Sequence, residues 1–187
     1  RNLGVNSSEI LIGFSGRFSQ QKALHILLDA FSIINKEFPQ TRLLLVGDGV
    51  LKSELVEQSR KLEINDKIIM TGFQYNVAPF YLSMDIFIMT SLWEGLSRCL
   101  AEAMYAKLPV IATDVGGTAD AIVNNQTGWL IKPNDVNAAV NAMRDAILNP
   151  EICKKMGENG FRFARESFDI RINSKRISEL YVLLSTK

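Results

Sequence analysis

Residues 10–49, ILIGFSGRFSQQKALHILLDAFSIINKEFPQTRLLLVGDG, decide the fold. They open with a short apolar run at 10–15, which reads as a buried strand, and close with a second such run at 42–47. Between the two, Lys22–Phe38 carries Leu24, Leu27, Leu28, Phe31, Ile34 and Phe38 at helical spacing. His25, Asp29, Ser32 and Lys36 share the opposite face, so the segment predicts an amphipathic helix packed on a sheet. Strand, helix, strand in this order is a βαβ unit.

The same alternation continues outward. Further strands are expected at 67–72, 85–90 and 109–113, with a short one at 129–131, which predicts an α/β fold with a doubly wound parallel sheet, Rossmann-like. From Asp135 onward the strands stop. Three helices are expected at 135–148, 151–166 and 170–185, broken at Pro150 and at Phe168-Asp169, the last packing outside the sheet. The whole chain, 1–187, reads as one domain with a helical tail over about 135–187, and no internal repeat or low-complexity tract interrupts it.

Composition narrows the partners. With 187 residues, 47% of them hydrophobic, the chain can bury a core. Its 21 Lys and Arg against 20 Asp and Glu give a net charge of +1 with no long block of one sign, so it lacks the footprint of a nucleic-acid binder. Any phosphate must be held locally. Cys99 and Cys153 form no metal-spaced or redox CxxC pair and read as reduced thiols; neither a metal nor a cofactor is expected. No apolar run approaches the roughly 20 residues of a membrane span, and the N-terminus has no signal pattern. A cytoplasmic domain is expected. Because the chain begins at Arg1, with a polar lead-in to the first strand, it reads as a fragment of a longer protein.

The unusual residues follow the strands: Gly16-Arg17, Gly47-Asp48-Gly49, Gly72-Phe73, Ser91-Leu92-Trp93-Glu94-Gly95 and Gly116-Gly117. In an open parallel sheet these loops share the carboxyl edge, where ligands of such folds bind. Arg17 and Lys22 flank one loop; together they suit a diphosphate, and taken alone they read first as solvated charges around a turn. Gly47-Asp48-Gly49 reads mainly as a tight strand-to-helix turn, because the third glycine of a dinucleotide fingerprint is missing. Glu94 sits ahead of a helix expected to start near Ser97, a candidate N-cap, whose free N–H groups make an anion site. Glu102 lies about a turn and a half further along. Either glutamate alone suits a cap or a surface; the two together suit hydroxyl groups on opposite sides of a diphosphate.

Glu94 and Glu102, with seven residues between them, match the EX7E motif, set between Ser91 and the run Glu102-Ala103-Met104. With Gly16-Arg17, Lys22, Gly47-Asp48-Gly49, Thr71-Gly72, Asp85, Pro109–Thr113, Gly116-Gly117 and Thr127-Gly128, the chain resembles the C-terminal domain of family 4 (group 1) glycosyltransferases. That resemblance implies one half of a GT-B architecture and a retaining transferase, of the kind used in polysaccharide biosynthesis, with a UDP- or GDP-sugar donor. It places Arg17 and Lys22 on the diphosphate, Glu102 on the ribose, and Glu94 with the backbone of Gly95, Leu96 and Ser97 near the transferred sugar. Glu94, Arg17 and Lys22 are thus the catalytic candidates. Gly16, Gly72, Phe73, Gly95, Leu96, Ser97 and Glu102 are the substrate-binding ones. With no DxD triplet in the chain, the site is expected to work without a metal.

The sequence departs from the family pattern at Ala23, Val50, Ser97 and Asp120, where glycine, proline, glycine and glutamate are usual. The family's acceptor, a carbohydrate or a lipid-linked one, belongs to an N-terminal domain absent from this chain, and any membrane association would come through that domain. His25, on a polar helix face, is assigned no role as a base. A sugar-nucleotide epimerase or phosphorylase, or a non-catalytic sugar-nucleotide-binding module, fits the same architecture. An NAD-dependent oxidoreductase fits less well, because Gly13–Arg17 lacks the GxGxxG spacing.

Overall fold

The computed structural model describes residues 3–95 and 97–185, and within the last helix all side chains except those at 176, 180 and 183. Strands β1 (Ile10–Ser15), β2 (Thr41–Val46), β3 (Ile68–Met70), β4 (Ile86–Met89), β5 (Val110–Thr113) and β6 (Gly128–Ile131) alternate with helices α1 (Leu24–Glu37), α2 (Lys52–Lys61), α3 (Ala78–Tyr81), α4 (Arg98–Tyr105) and α5 (Thr118–Ala121). Helices α6 (Val136–Leu148), α7 (Pro150–Ser167) and α8 (Ile170–Ser185) complete the order. The six strands form one sheet in the order β3-β2-β1-β4-β5-β6, and every neighbouring pair is parallel. This is the expected doubly wound α/β fold.

The order follows from the residues. Leu11, Ile12 and Phe14 of β1, Leu43 and Leu44 of β2 and Ile88 of β4 are fully buried, an unbroken apolar pattern that only a strand covered on both faces tolerates. Burying each such side chain contributes about 1.5–3 kcal/mol. Under the right-handed crossover rule for parallel strands, α1 and α2 belong to one face and α4 and α5 to the other, and α1 packs on α2. The chain reverses direction across the sheet between β1 and β4, which pair at Ile12–Ile86 and Gly13–Phe87. The carboxyl ends of those two strands define the crevice of such a sheet.

Three local expectations are corrected. The helix expected from Lys22 is split: Gln20–Lys22 form a 3-10 turn, Ala23 takes the left-handed conformation (φ 44°, ψ 44°), and α1 begins at Leu24. Ser32, assigned to the polar face, is buried and its Oγ donates to the Asp29 carbonyl, because α1 is covered by α2 and α6 as well as by the sheet. The strand expected at 67–72 shrinks to Ile68–Met70, an edge strand with β2 as its sole neighbour. The tail helices fall where expected. Asp135 caps α6 by accepting from Ala138 N at 2.8 Å, Pro150 opens α7, and α8 lies against α7 outside the sheet. Among the described residues no helix is long and apolar enough to cross a membrane, and Cys99 and Cys153 are free thiols.

Candidate functional site

Two loops meet where the sheet reverses. The one leaving β1 runs through Gly16 to Ala23, and the one leaving β4 runs from Thr90 to Ser97. Leu92 N donates to the Gln21 carbonyl and Gln21 Nε2 to the Trp93 carbonyl, both at 2.8 Å. Thr90 Oγ1 lies 3.1 Å from the Lys22 carbonyl and 3.2 Å from that of Ala23. The left-handed turn at Ala23 costs about 1–2 kcal/mol in a residue with a Cβ, and it aims Lys22 across the crevice. There Lys22 Nζ donates to Glu94 Oε1, and the two side chains are only 12% and 7% exposed. In a pair so sheltered, removing either partner would leave the other's charge buried.

Glycines hold these loops in place from behind. Gly47 has φ 136°, and a Cβ there would stand 2.0 Å from the Gly16 carbonyl oxygen. Phe18 N donates to the Asp48 carbonyl at 2.9 Å and Gly47 N to that of Gly72 at 3.1 Å, so the loops after β1, β2 and β3 are tied in series. Asp48 accepts from Lys52 Nζ and from Gly49 N; the Lys52 ammonium, then that N–H, hold its carboxyl below the usual range. Gly47-Asp48-Gly49 is therefore the structural turn expected. Arg17 is exposed beyond it and, among the described residues, its guanidinium makes no hydrogen bond or ion pair. With Gly16, Asp48 and Phe73 it lines a cavity of about 340 Å³. Gly72, at φ 71°, turns the chain toward Phe73, whose ring meets Tyr75 edge-on with centroids 4.9 Å apart.

Glu102 stands on α4, beside a second cavity of about 400 Å³ lined by Val77, Tyr81 and Tyr105. Tyr81 Oη donates to Glu102 Oε2 at 2.9 Å and lies 3.3 Å from the Cys99 carbonyl. Burial pushes the Tyr81 phenol well above its usual range, and the neighbouring Cys99 and Glu102 push the same way, so it stays a donor at any working pH. Nothing local in the sequence marks Tyr81, which reads as one more core aromatic. Burial likewise raises the Cys99 thiol.

Ser97 departs from its expected role. It holds the N-cap position of α4 by backbone, but its hydroxyl turns inward, 3.4 Å from Met89 Sδ and 3.0 Å from Cys99 Sγ, and caps no helix N–H. The hydroxyl faces the core, where Met89 of β4 and Cys99 present sulfur. Gly95 is exposed with open space around it, and Leu96 lies outside the described residues. The structure thus pairs Lys22 with Glu94 at the crevice, beside Gly95, sets Gly16, Arg17 and Phe73 around a neighbouring cavity reached through Gly72, and places Ser97 at the N-cap of α4 and Glu102 on that helix.

Strand order, parallel pairing throughout and a crevice at the β1/β4 reversal define a Rossmann-type, doubly wound α/β domain. The glycosyl transferases group 1 family model matches residues 1–163, and the chain belongs to that family. It is similar to the N-acetyl-alpha-D-glucosaminyl L-malate synthase of Bacillus anthracis, with 29% identity over 181 residues, 97% of this chain and 46% of that protein. Anabaena HepE, solved in complex with UDP, superposes with a TM-score of 0.88 at 26% identity, over 97% of this chain and 50% of that one. HepE is also solved in complex with UDP-glucose. The C-terminal domain of the group 1 protein LpcC from Francisella tularensis shares the fold, with a TM-score of 0.80 at 24% identity, over 86% of this chain and 87% of that domain. This chain spans 46% of the length of that synthase and 46% of the capsular polysaccharide glycosyltransferase CapM of Staphylococcus aureus, which it also resembles.

Proposed function

We propose that this chain is the donor-binding half of a retaining GT-B glycosyltransferase. It holds a nucleoside-diphosphate sugar while an N-terminal domain of the same protein holds a carbohydrate or lipid-linked acceptor. The observation that carries this reading is the sheltered Lys22–Glu94 pair at the β1/β4 reversal, with the unpaired Arg17 on the same edge. Group 1 membership and the UDP complexes of HepE support it.

In this reading Arg17 and Lys22 face the diphosphate together with the N-terminus of α4. As the bond from the sugar to its phosphate breaks, negative charge grows on the leaving diphosphate, and preset cations and backbone dipoles stabilise that charge without a metal. Glu102, oriented by Tyr81, accepts from the ribose hydroxyls. Glu94 and the backbone of Gly95 and Ser97 lie beside the sugar.

Calorimetry of the 187-residue chain with UDP and with GDP, each with and without chelator, tests the reading. One of the two binds, and chelation leaves its affinity unchanged. Absence of binding by both, or binding that needs added metal, would overturn it. The chain alone transfers no sugar to any acceptor, whereas the longer protein does so and keeps the anomeric configuration of the donor.

A further inference from the structure

Trp93, immediately before Glu94, is the feature that this reading leaves unused. Its side chain is 56% exposed, a large apolar face at the rim of the crevice. It forms one wall of a groove of about 400 Å³ whose other walls are Gln20, His25 at the start of α1, and Leu51 and Glu54 at the start of α2. The floor is rigid: Gln58 Nε2 donates to the His25 carbonyl at 3.0 Å and to Asp29 Oδ1 at 2.8 Å, locking α2 onto α1. Trp93 is held by its own backbone, whose carbonyl accepts from Gln21. Among the described residues, the side chains of Gln20, His25 and Glu54 and the Trp93 indole N–H make no hydrogen bond or ion pair.

A rigid aromatic face ringed by unengaged donors and acceptors suits one class of ligand. The ring C–H bonds of a pyranose pack on an indole face, whose π cloud is electron-rich, while its hydroxyls need donors and acceptors around the rim. An amide, an imidazole, a carboxylate and an indole N–H supply both. A nucleotide base would also stack, but its phosphates would meet the Glu54 carboxylate, and among the described residues no lysine or arginine lines the groove. We propose that the groove between Trp93, His25 and Glu54 binds a neutral pyranose, seating a saccharide acceptor against this half of the enzyme beside the donor. The acceptor role rests on the proposed function; binding of the sugar does not.

Saturation-transfer NMR on the 187-residue chain with the methyl glycosides of glucose, galactose, mannose and N-acetylglucosamine reads the binding directly. At least one glycoside receives saturation, strongest on the protons of one ring face, and keeps it when excess UDP is present. Trp93→Ala removes the signal, Trp93→Phe retains it with affinity weakened no more than about ten-fold, and His25→Ala with Glu54→Ala weakens it without touching the indole. UDP affinity, measured on the same samples, stays within about two-fold of the parent and shows the variants to be folded. No transfer to any glycoside, a signal unchanged in Trp93→Ala, or one displaced by UDP would overturn the proposal. Failure of the parent chain to bind either UDP or GDP, with saccharide binding intact, would instead sink the donor-site reading.

Discussion

Gly116 lies against the backbone of Glu94: a Cβ at position 116 would stand 1.9 Å from the Glu94 carbonyl oxygen, and φ there is 49°. The loop after β5 therefore sets the position of the loop after β4, and Thr113 Oγ1, donating to the Ser91 carbonyl at 2.6 Å, ties the same two loops one step earlier. Gly116→Ala adds a left-handed penalty of about 1–2 kcal/mol and an overpacking cost of about 1–3 kcal/mol. Gly95→Ala, in open space one residue beyond Glu94, costs little. Urea denaturation of both variants checks the contrast; equal losses would show that Gly116 does not brace Glu94.

The left-handed Ala23 makes a second contrast. Changing a buried helical alanine such as Ala30 to glycine forfeits helix propensity and a methyl group, about 2 kcal/mol in all. At Ala23 the same lost methyl is offset by relief of a strain of about 1–2 kcal/mol, so Ala23→Gly is expected within about 1 kcal/mol of the parent. Matching losses at 23 and 30 in thermal unfolding would mean that the turn stores no strain.

The two glutamates should divide the labour. On the proposed function, Glu102→Gln removes a charged acceptor for ribose hydroxyls, worth about 1.5–3 kcal/mol, and weakens binding of the nucleoside diphosphate roughly ten- to a hundred-fold. Tyr81→Phe leaves the carboxylate but frees its orientation, with a smaller loss of a few-fold. Glu94→Gln takes the opposing charge from Lys22 and so preserves or raises affinity for the diphosphate while depressing sugar transfer in the longer protein. Calorimetry that finds Glu94→Gln the most damaging of the three would reverse the assignment.

Burial pushes the Cys153 thiol from 9.0 up to about 11. The unfolded thiol ionises first, so its contribution to stability is complete below pH 9.0 and is lost as pH rises toward about 11. Cys153→Ala should flatten this alkaline decline. Urea midpoints followed across that window, parent against variant, report it, and parallel slopes would remove Cys153 as the cause.

The elements and the edge that carries the candidate site were legible in the sequence, for local reasons. Leu11–Phe14 and Leu43–Val46 are apolar without alternation because both faces of the sheet are covered, and the 3.6-residue stripe of α1 is written in consecutive turns. Glycines and charges after each strand mark the carboxyl edge because tight turns need them there. What tertiary structure alone decided are relations between distant positions: Lys22 paired with Glu94 across 72 residues, Tyr81 oriented on Glu102 across 21, and Gly116 set against Glu94. It also turned Ser97 inward and buried Ser32. Propensity and periodicity act over a few residues, so they specify that a lysine follows β1 and a glutamate follows β4. Whether the two touch depends on the sheet order that makes β1 and β4 neighbours and on the left-handed turn at Ala23, and both are set by packing across the whole domain.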